Sequence, residues 1–152
     1  MSQPLIVTNT ISIQAPATKV WDALTNPEQT KRYMFGCAAS TDWKPGSPLL
    51  WKGVFNGVEM VAVKGIVVRS EPCKSLVYTV IDPNNPAIPD IPENYLTVIC
   101  TLTEEKDQTQ LTVSQGDYSK VAEGQTRYEH TVNGGGWDPI MVQIKALCEG
   151  GA

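Results

Sequence analysis

Residues 133–152 read NGGGWDPIMVQIKALCEGGA, and the fold turns on how this segment joins the chain before it. Trp137, Met141, Ile144 and Cys148 recur at i, i+4, i+7 and i+11, with Ile140 and Leu147 beside them, so one helical face is apolar throughout. A helix running from about Val121 to Cys148 would be about 40 Å long at ~1.5 Å per residue, enough to cross a whole sheet. Against it stand Gly134, Gly135 and Gly136, each of which costs about 1 kcal/mol relative to alanine inside a helix. Either close packing against neighbouring backbone offsets that cost, or the glycines mark a break between two helices.

Working outward, residues 40 to 118 give strand after strand. STDW and LLWKG flank Lys44-Pro45-Gly46, where proline presets the first angle of a type II turn and glycine supplies its positive φ. VEMVAVKGIVV follows from Val58 to Val68, and Gly65 in its middle suggests a bulge. SLVYTVI, NYLTVICTLTEE and TQLTVSQGDY come next, the last two joined by the tight EEKDQ connection, which makes an antiparallel meander. Ahead of it lie a β-branched strand, LIVTNTISI from residue 5 to 13, and two short helices. Val20, Trp21 and Leu24 share a face of the first, which Pro27 ends; Asn26 reads as the cap of the second, with Gln29 completing a capping box.

Between SLVYTVI and NYLTVICTLTEE, DPNNPAIPDIPENY carries Pro83, Pro86, Pro89 and Pro92, so it is neither helix nor interior strand. It reads as an exposed loop, either a plain surface connection or a lid over a cavity mouth.

Length and composition exclude several classes. The 152 residues suit a single domain, 1–152, and a net charge of −4 without basic runs argues against a nucleic-acid surface. MSQPLIVTNT has neither the charged start nor the apolar stretch of a leader, and no window reaches ~18 continuous apolar residues, so a cytoplasmic protein without a membrane span is expected. Cys37, Cys73, Cys100 and Cys148 are scattered without a C-x-x-C pair, which suits reduced structural thiols.

The layout of strand, two short helices, meander and terminal helix resembles the helix-grip fold of the START-like superfamily (SRPBCC). The blocks ISIQAPATKVWDALTNPEQTKRYM, KPG followed by LLWKG, KGIVVRSEPCKSLVYT, YLTVICTLTEEKDQTQLTVSQGDY and GWDPIMVQIKALCE resemble the AHSA type, relatives of the carboxyl-terminal domain of the activator of the 90-kDa heat-shock protein ATPase. The resemblance runs from about residue 5 to 149. It implies an α+β protein with a curved antiparallel sheet of about six to seven strands wrapped around a long C-terminal helix, and a cavity between the two. In that setting the terminal helix is expected to be continuous, with Gly134 to Gly136 allowing close approach or a bend and Trp137 filling space below. The eukaryotic co-chaperone of the family carries an additional amino-terminal domain, for which this sequence has no room.

Strand parity assigns the concave face: Leu76, Tyr78 and Val80; Val98, Cys100 and Leu102; Leu111, Val113 and Gln115. Gln115 is the polar exception and requires a hydrogen-bond partner, protein or ligand. The candidate cavity residues are Trp51, Phe55, Met60, Tyr78, Tyr95, Cys100, Gln115, Trp137, Met141 and Ile144, with Gln115 as polar anchor. His130 is the sole histidine, in a polar helical segment, and is expected to be exposed. Asp82, Asn84 and Asp90 lack calcium-loop spacing, no phosphate or dinucleotide loop is present, and no serine stands in G-x-S-x-G, so no metal, cofactor or catalytic residue is expected. Glu104, Glu105 and Asp107 read as solvating charge at a hairpin end.

Three functions follow from the resemblance. The first is non-catalytic binding of a small hydrophobic or amphipathic molecule, by a monomer or homodimer. The second is an accessory role with a chaperone in the stress response. The third, an enzyme of the cyclase or hydratase kind, would require an acid or base at the cavity, such as His130 or Tyr78.

Overall fold

The computed structural model describes residues 4–34 and 36–150, so the leader reading at residues 1–3 lies outside them. Seven strands form one antiparallel sheet: β1 (Val7–Ile13), β2 (Ala38–Ser40), β3 (Pro48–Phe55), β4 (Val58–Glu71), β5 (Ser75–Val80), β6 (Leu96–Glu105) and β7 (Gln108–Gly116). Helices α1 (Ala17–Thr25) and α2 (Pro27–Tyr33) carry the chain from β1 to the far edge at β2, and the meander then returns until β7 pairs with β1. Helices α3 (Gly124–Asn133) and α4 (Asp138–Glu149) follow the sheet. The expected α+β helix-grip layout is the one observed.

Turn chemistry sets this register. Asn56-Gly57 and Lys106-Asp107 have φ of 53°, 80°, 52° and 62°, the two positive angles of tight hairpin loops whose twist matches the strands they join. At Lys44–Ser47 the type II turn forms as expected, with Gly46 at φ 90° and Ser47 N–H donating to Lys44 O at 2.9 Å.

Four local expectations are corrected. The strand around STDW stops at Ser40; Trp43, at φ 61°, leaves the sheet and its indole N–H donates to Thr25 O at the end of α1, 2.9 Å away. Gly65 is not bulged but pairs regularly with Leu49; the register slips on either side of it, at Ala62 against β3 and Val68 against β5. What Gly65 supplies is close approach, because a Cβ there would sit 1.7 Å from Thr79 O. Asn26 caps α2 through Glu28 N–H at 3.0 Å, but its own N–H already donates to Asp22 O as α1 ends, leaving Gln29 nothing to bond in a capping box. Glu104 does more than solvate: its carboxylate reaches from β6 to accept from Ala17 N–H at 2.5 Å, supplying the N-terminal cap that Pro16 cannot give α1.

The largest correction concerns the terminal helix, which is two helices. Gly135 N–H donates to Val132 O at 3.0 Å and Gly136 N–H to Thr131 O at 2.8 Å, the paired bonds of a Schellman ending, with Gly135 at φ 91° in the left-handed position. Gly136 also has positive φ (62°), so helical geometry cannot continue. Asn9 of β1 holds the break: its Oδ1 accepts from Trp137 N–H at 3.0 Å and its Nδ2 donates to Gly135 O at 3.3 Å. A Cβ on Gly136 would lie 2.4 Å from that Oδ1, which is why glycine stands there.

Helix α4 is the element that the sheet grips. Met141, Ile144 and Cys148 are fully buried against the inner face, where α4 packs on β1 and α1. Its outer end is clasped to β1: Lys145 Nζ donates to Ser12 O at 2.8 Å, and Glu149 Oε2 accepts from Gln14 N–H at 2.7 Å. Helix α3 is different, burying only Gly124 fully and packing on Tyr118 and β1. No helix of the described residues is long and apolar enough to cross a membrane.

Candidate functional site

Strand register carries the inner face into one continuous surface. Leu76 pairs with Cys100 and Cys100 with Val113; Tyr78 pairs with Val98 and Val98 with Gln115, so the assigned inward sets stand side by side. Over the half of this face nearer α1, side chains of α4 fill the space and Leu76, Cys100 and Val113 are buried with nothing left open. Toward the other end α4 gives way to the glycine break, and a recess of about 490 Å³ opens. Its floor is Tyr78 and Val80 of β5, Val98 of β6 and Gln115 of β7; its walls are Trp51 and Phe55 of β3 with Ala62 and Val63 of β4, and Trp137 with Ile140 on the side of α4. Met34, Cys37, Tyr118, Thr131 and Gly136 complete it.

Of the candidates read from sequence, Trp51, Phe55, Tyr78, Gln115 and Trp137 meet at this recess. The other five do not line it. Cys100, Met141 and Ile144 point the expected way but are packed solid beneath the recess, buried to 0–1% exposure. Met60 is half-buried on β4 beyond its wall. Tyr95 lies outside, where its hydroxyl donates to Asp90 at 2.6 Å beside the Lys64–Asp90 ion pair. The proline-rich loop also stays off the recess: Asn94 ties it down, donating to Pro89 O and accepting from Ala122 N–H, both at 2.9 Å, and no residue from 82 to 95 lines the cavity. Tyr118 and Cys37 were missed. Tyr118 follows the last strand of the meander and Cys37 follows α2, segments to which strand parity assigns no face.

Gln115 has the partner that its position demands. The indole N–H of Trp137 donates to its Oε1 at 2.9 Å, a bond joining the sheet to the residue that caps the start of the gripped helix. Tyr78 stands with its ring 6.1 Å from that of Trp51 and only 4% exposed; burial holds its hydroxyl well above the ordinary phenol range, so it stays protonated. Burial likewise raises the Cys37 thiol and pushes Cys100 up to about 12, which keeps both thiols neutral and poorly nucleophilic. All four cysteines are free. His130 lies exposed on α3, away from the recess. Among the described residues no three His, Cys, Asp or Glu side chains gather as metal ligands.

Chemically, then, the site is a mostly apolar, aromatic-walled recess with a neutral amide and the protonated phenol of Tyr78, and no Asp, Glu, His, Lys or Arg lines it. Such a recess can hold and orient a molecule.

Comparison with known proteins agrees with the fold. The solution structure of ChR145 from Cytophaga hutchinsonii is 33% identical to this chain with a TM-score of 0.77, over 99% of this chain and 97% of that one. The crystal structure of NE0264 from Nitrosomonas europaea is 19% identical with a TM-score of 0.73, covering 98% and 97%. The Aha1 dimer from Colwellia psychrerythraea, solved in solution, is 18% identical with a TM-score of 0.67, covering 95% and 96%. No curated protein matches the sequence significantly. The profile described as Activator of Hsp90 ATPase homolog 1-like protein matches residues 14–149, almost the whole span of the folded elements, and the chain belongs to that family.

Proposed function

We propose that this chain, acting as one START-like unit, binds a small hydrophobic or amphipathic molecule in the recess between sheet and α4 without altering it. The observation that carries this reading is the recess itself: about 490 Å³ of space lined by Trp51, Phe55, Tyr78, Gln115 and Trp137, within the usual size range of small-molecule sites. A filled gap would have offered nothing to bind. Absence of a charged side chain from the lining supports binding over catalysis, since cyclase or hydratase chemistry needs a proton donor or acceptor near its working pH. Native mass spectrometry against a panel of lipids and aromatic metabolites tests the reading. It predicts a one-to-one adduct whose ligand is released with unchanged mass, and the absence of any adduct, or a released product of altered mass, would contradict it.

A second reading rests on the family match: an accessory role toward a chaperone ATPase, exerted through the protein surface. It predicts faster ATP hydrolysis by the chaperone at saturating concentrations of this protein, and an unchanged rate removes it. Homodimer formation belongs to the same reading, supported by the dimer in the Colwellia structure, and is tested by the mass in solution.

A further inference from the structure

The bond between Trp137 and Gln115 fixes more than the helix. An indole N–H only donates, so the Gln115 amide can satisfy it only through its oxygen. The amide nitrogen is thereby turned elsewhere, with two hydrogens and no partner among the described residues. Tyr78 Oη is likewise without a partner among them. The residue lines the recess with a ring only 4% exposed, which makes its hydroxyl the second polar group of this wall. Tyr78 and Gln115 flank Val98 at one level of the sheet, two strand spacings or roughly 10 Å apart between backbones.

The chemistry of the complement follows. Gln115 has two unused donors on its amide nitrogen while its oxygen is engaged by Trp137, whereas Tyr78 can donate or accept. No Lys, Arg or His lines the recess, so a carboxylate entering it would shed water without meeting a counter-charge. A pure hydrocarbon would strip water from the amide and the phenol and return nothing. Resting on the ligand-binding reading above, we infer that the recess selects uncharged molecules bearing a carbonyl-type acceptor oxygen, a ketone, ester or lactone, held by Gln115 Nε2 and Tyr78 Oη.

Three matched naphthalenes separate this inference from the reading on which it rests. Equilibrium dialysis at pH 7.5 gives Kd values for 2-acetonaphthone, 2-ethylnaphthalene and 2-naphthoate. The ketone should bind about five- to tenfold more tightly than the hydrocarbon, the gain of roughly one satisfied hydrogen bond, although partition from water favours the hydrocarbon. Naphthoate should bind weakest. In Tyr78→Phe and Gln115→Met the ratio of the two Kd values should shrink severalfold, because the ketone loses a partner while the hydrocarbon no longer strips water from a polar group. Equal or tighter binding of the hydrocarbon, tightest binding by naphthoate, or an undiminished ketone preference in both variants would overturn the inference and leave ligand binding standing. No binding by any of the three would remove both.

Discussion

Three consecutive glycines make unequal demands, and each can be measured. Gly134 has φ −86° and an added Cβ would meet only carbonyl oxygens 3.5–3.6 Å away, so Gly134→Ala should leave stability unchanged or raise it by about 0.5 kcal/mol through the unfolded chain. Gly135 has φ 91°, and an added Cβ would make only ordinary contacts with Pro139 and Asp138 at 3.6–3.9 Å, so alanine there should cost about 1–2 kcal/mol of backbone strain. Gly136→Ala adds to that strain a collision with Asn9 Oδ1 and Val7, and with it loss of the bond to Trp137 N–H, for a total of about 2–4 kcal/mol. Urea titration of the three variants checks the order. An equal loss in all three would mean that the Schellman ending does not hold in solution. The sequence announces the glycines but not this ranking, because the ranking depends on Asn9, a residue 127 positions away from Gly136 along the chain. Gln115 was legible as an anomaly from strand parity alone; its partner was not, since side-chain pairing across the sheet-helix gap leaves no local signal.

At the scale of elements, α4 is held to β1 by groups whose charge can be removed. The Gln14 N–H and then the Lys145 ammonium hold the Glu149 carboxyl below its usual 4.5. A carboxyl with a lowered folded-state pKa stabilises fully above its unfolded value and loses that contribution as pH falls through the folded one. Wild type and Glu149→Gln should therefore differ by a constant urea midpoint above about pH 4.5, and the difference should close below it. A gap that persists to pH 2 would mean that the clasp does not depend on the charge. Similarly, Glu104→Ala removes the side-chain cap at the start of α1 and should cost about 1 kcal/mol by the same measurement. Strands were read well because their period of two and their punctuation are local: the meander, its inward sets and the Lys44–Ser47 turn all stand as expected. Helix continuity was misread because apolar spacing runs straight through Trp137 and is blind to a backbone that leaves the helix between Thr131 and Trp137. Asn56-Gly57, a strong hairpin dipeptide, was available in the sequence and marks the β3–β4 turn.

At the scale of the molecule, the break between α3 and α4 and the recess belong together. A helix continuous from Val121 to Cys148 would have carried side chains over the whole inner face; the glycine turn instead starts α4 after Trp137 and leaves the recess that Tyr78 and Gln115 line. Of the five candidate residues outside the recess, Cys100, Met141 and Ile144 fell there for one physical reason: the inward-facing pattern does not tell which part of a concave face is filled. Met141 and Ile144 fill it, whereas Trp137 borders what is left. The most direct check on this account is a ¹H–¹⁵N titration of the protein with 2-acetonaphthone, following the indole N–H of Trp137 and the side-chain amide of Gln115. The account predicts saturable shifts at these two groups and at Tyr78 and Val98, with the Cys100–Ile144 region beneath them unmoved. Shifts confined to the outer face of the sheet, or none at the Trp137 indole at saturation, would contradict it.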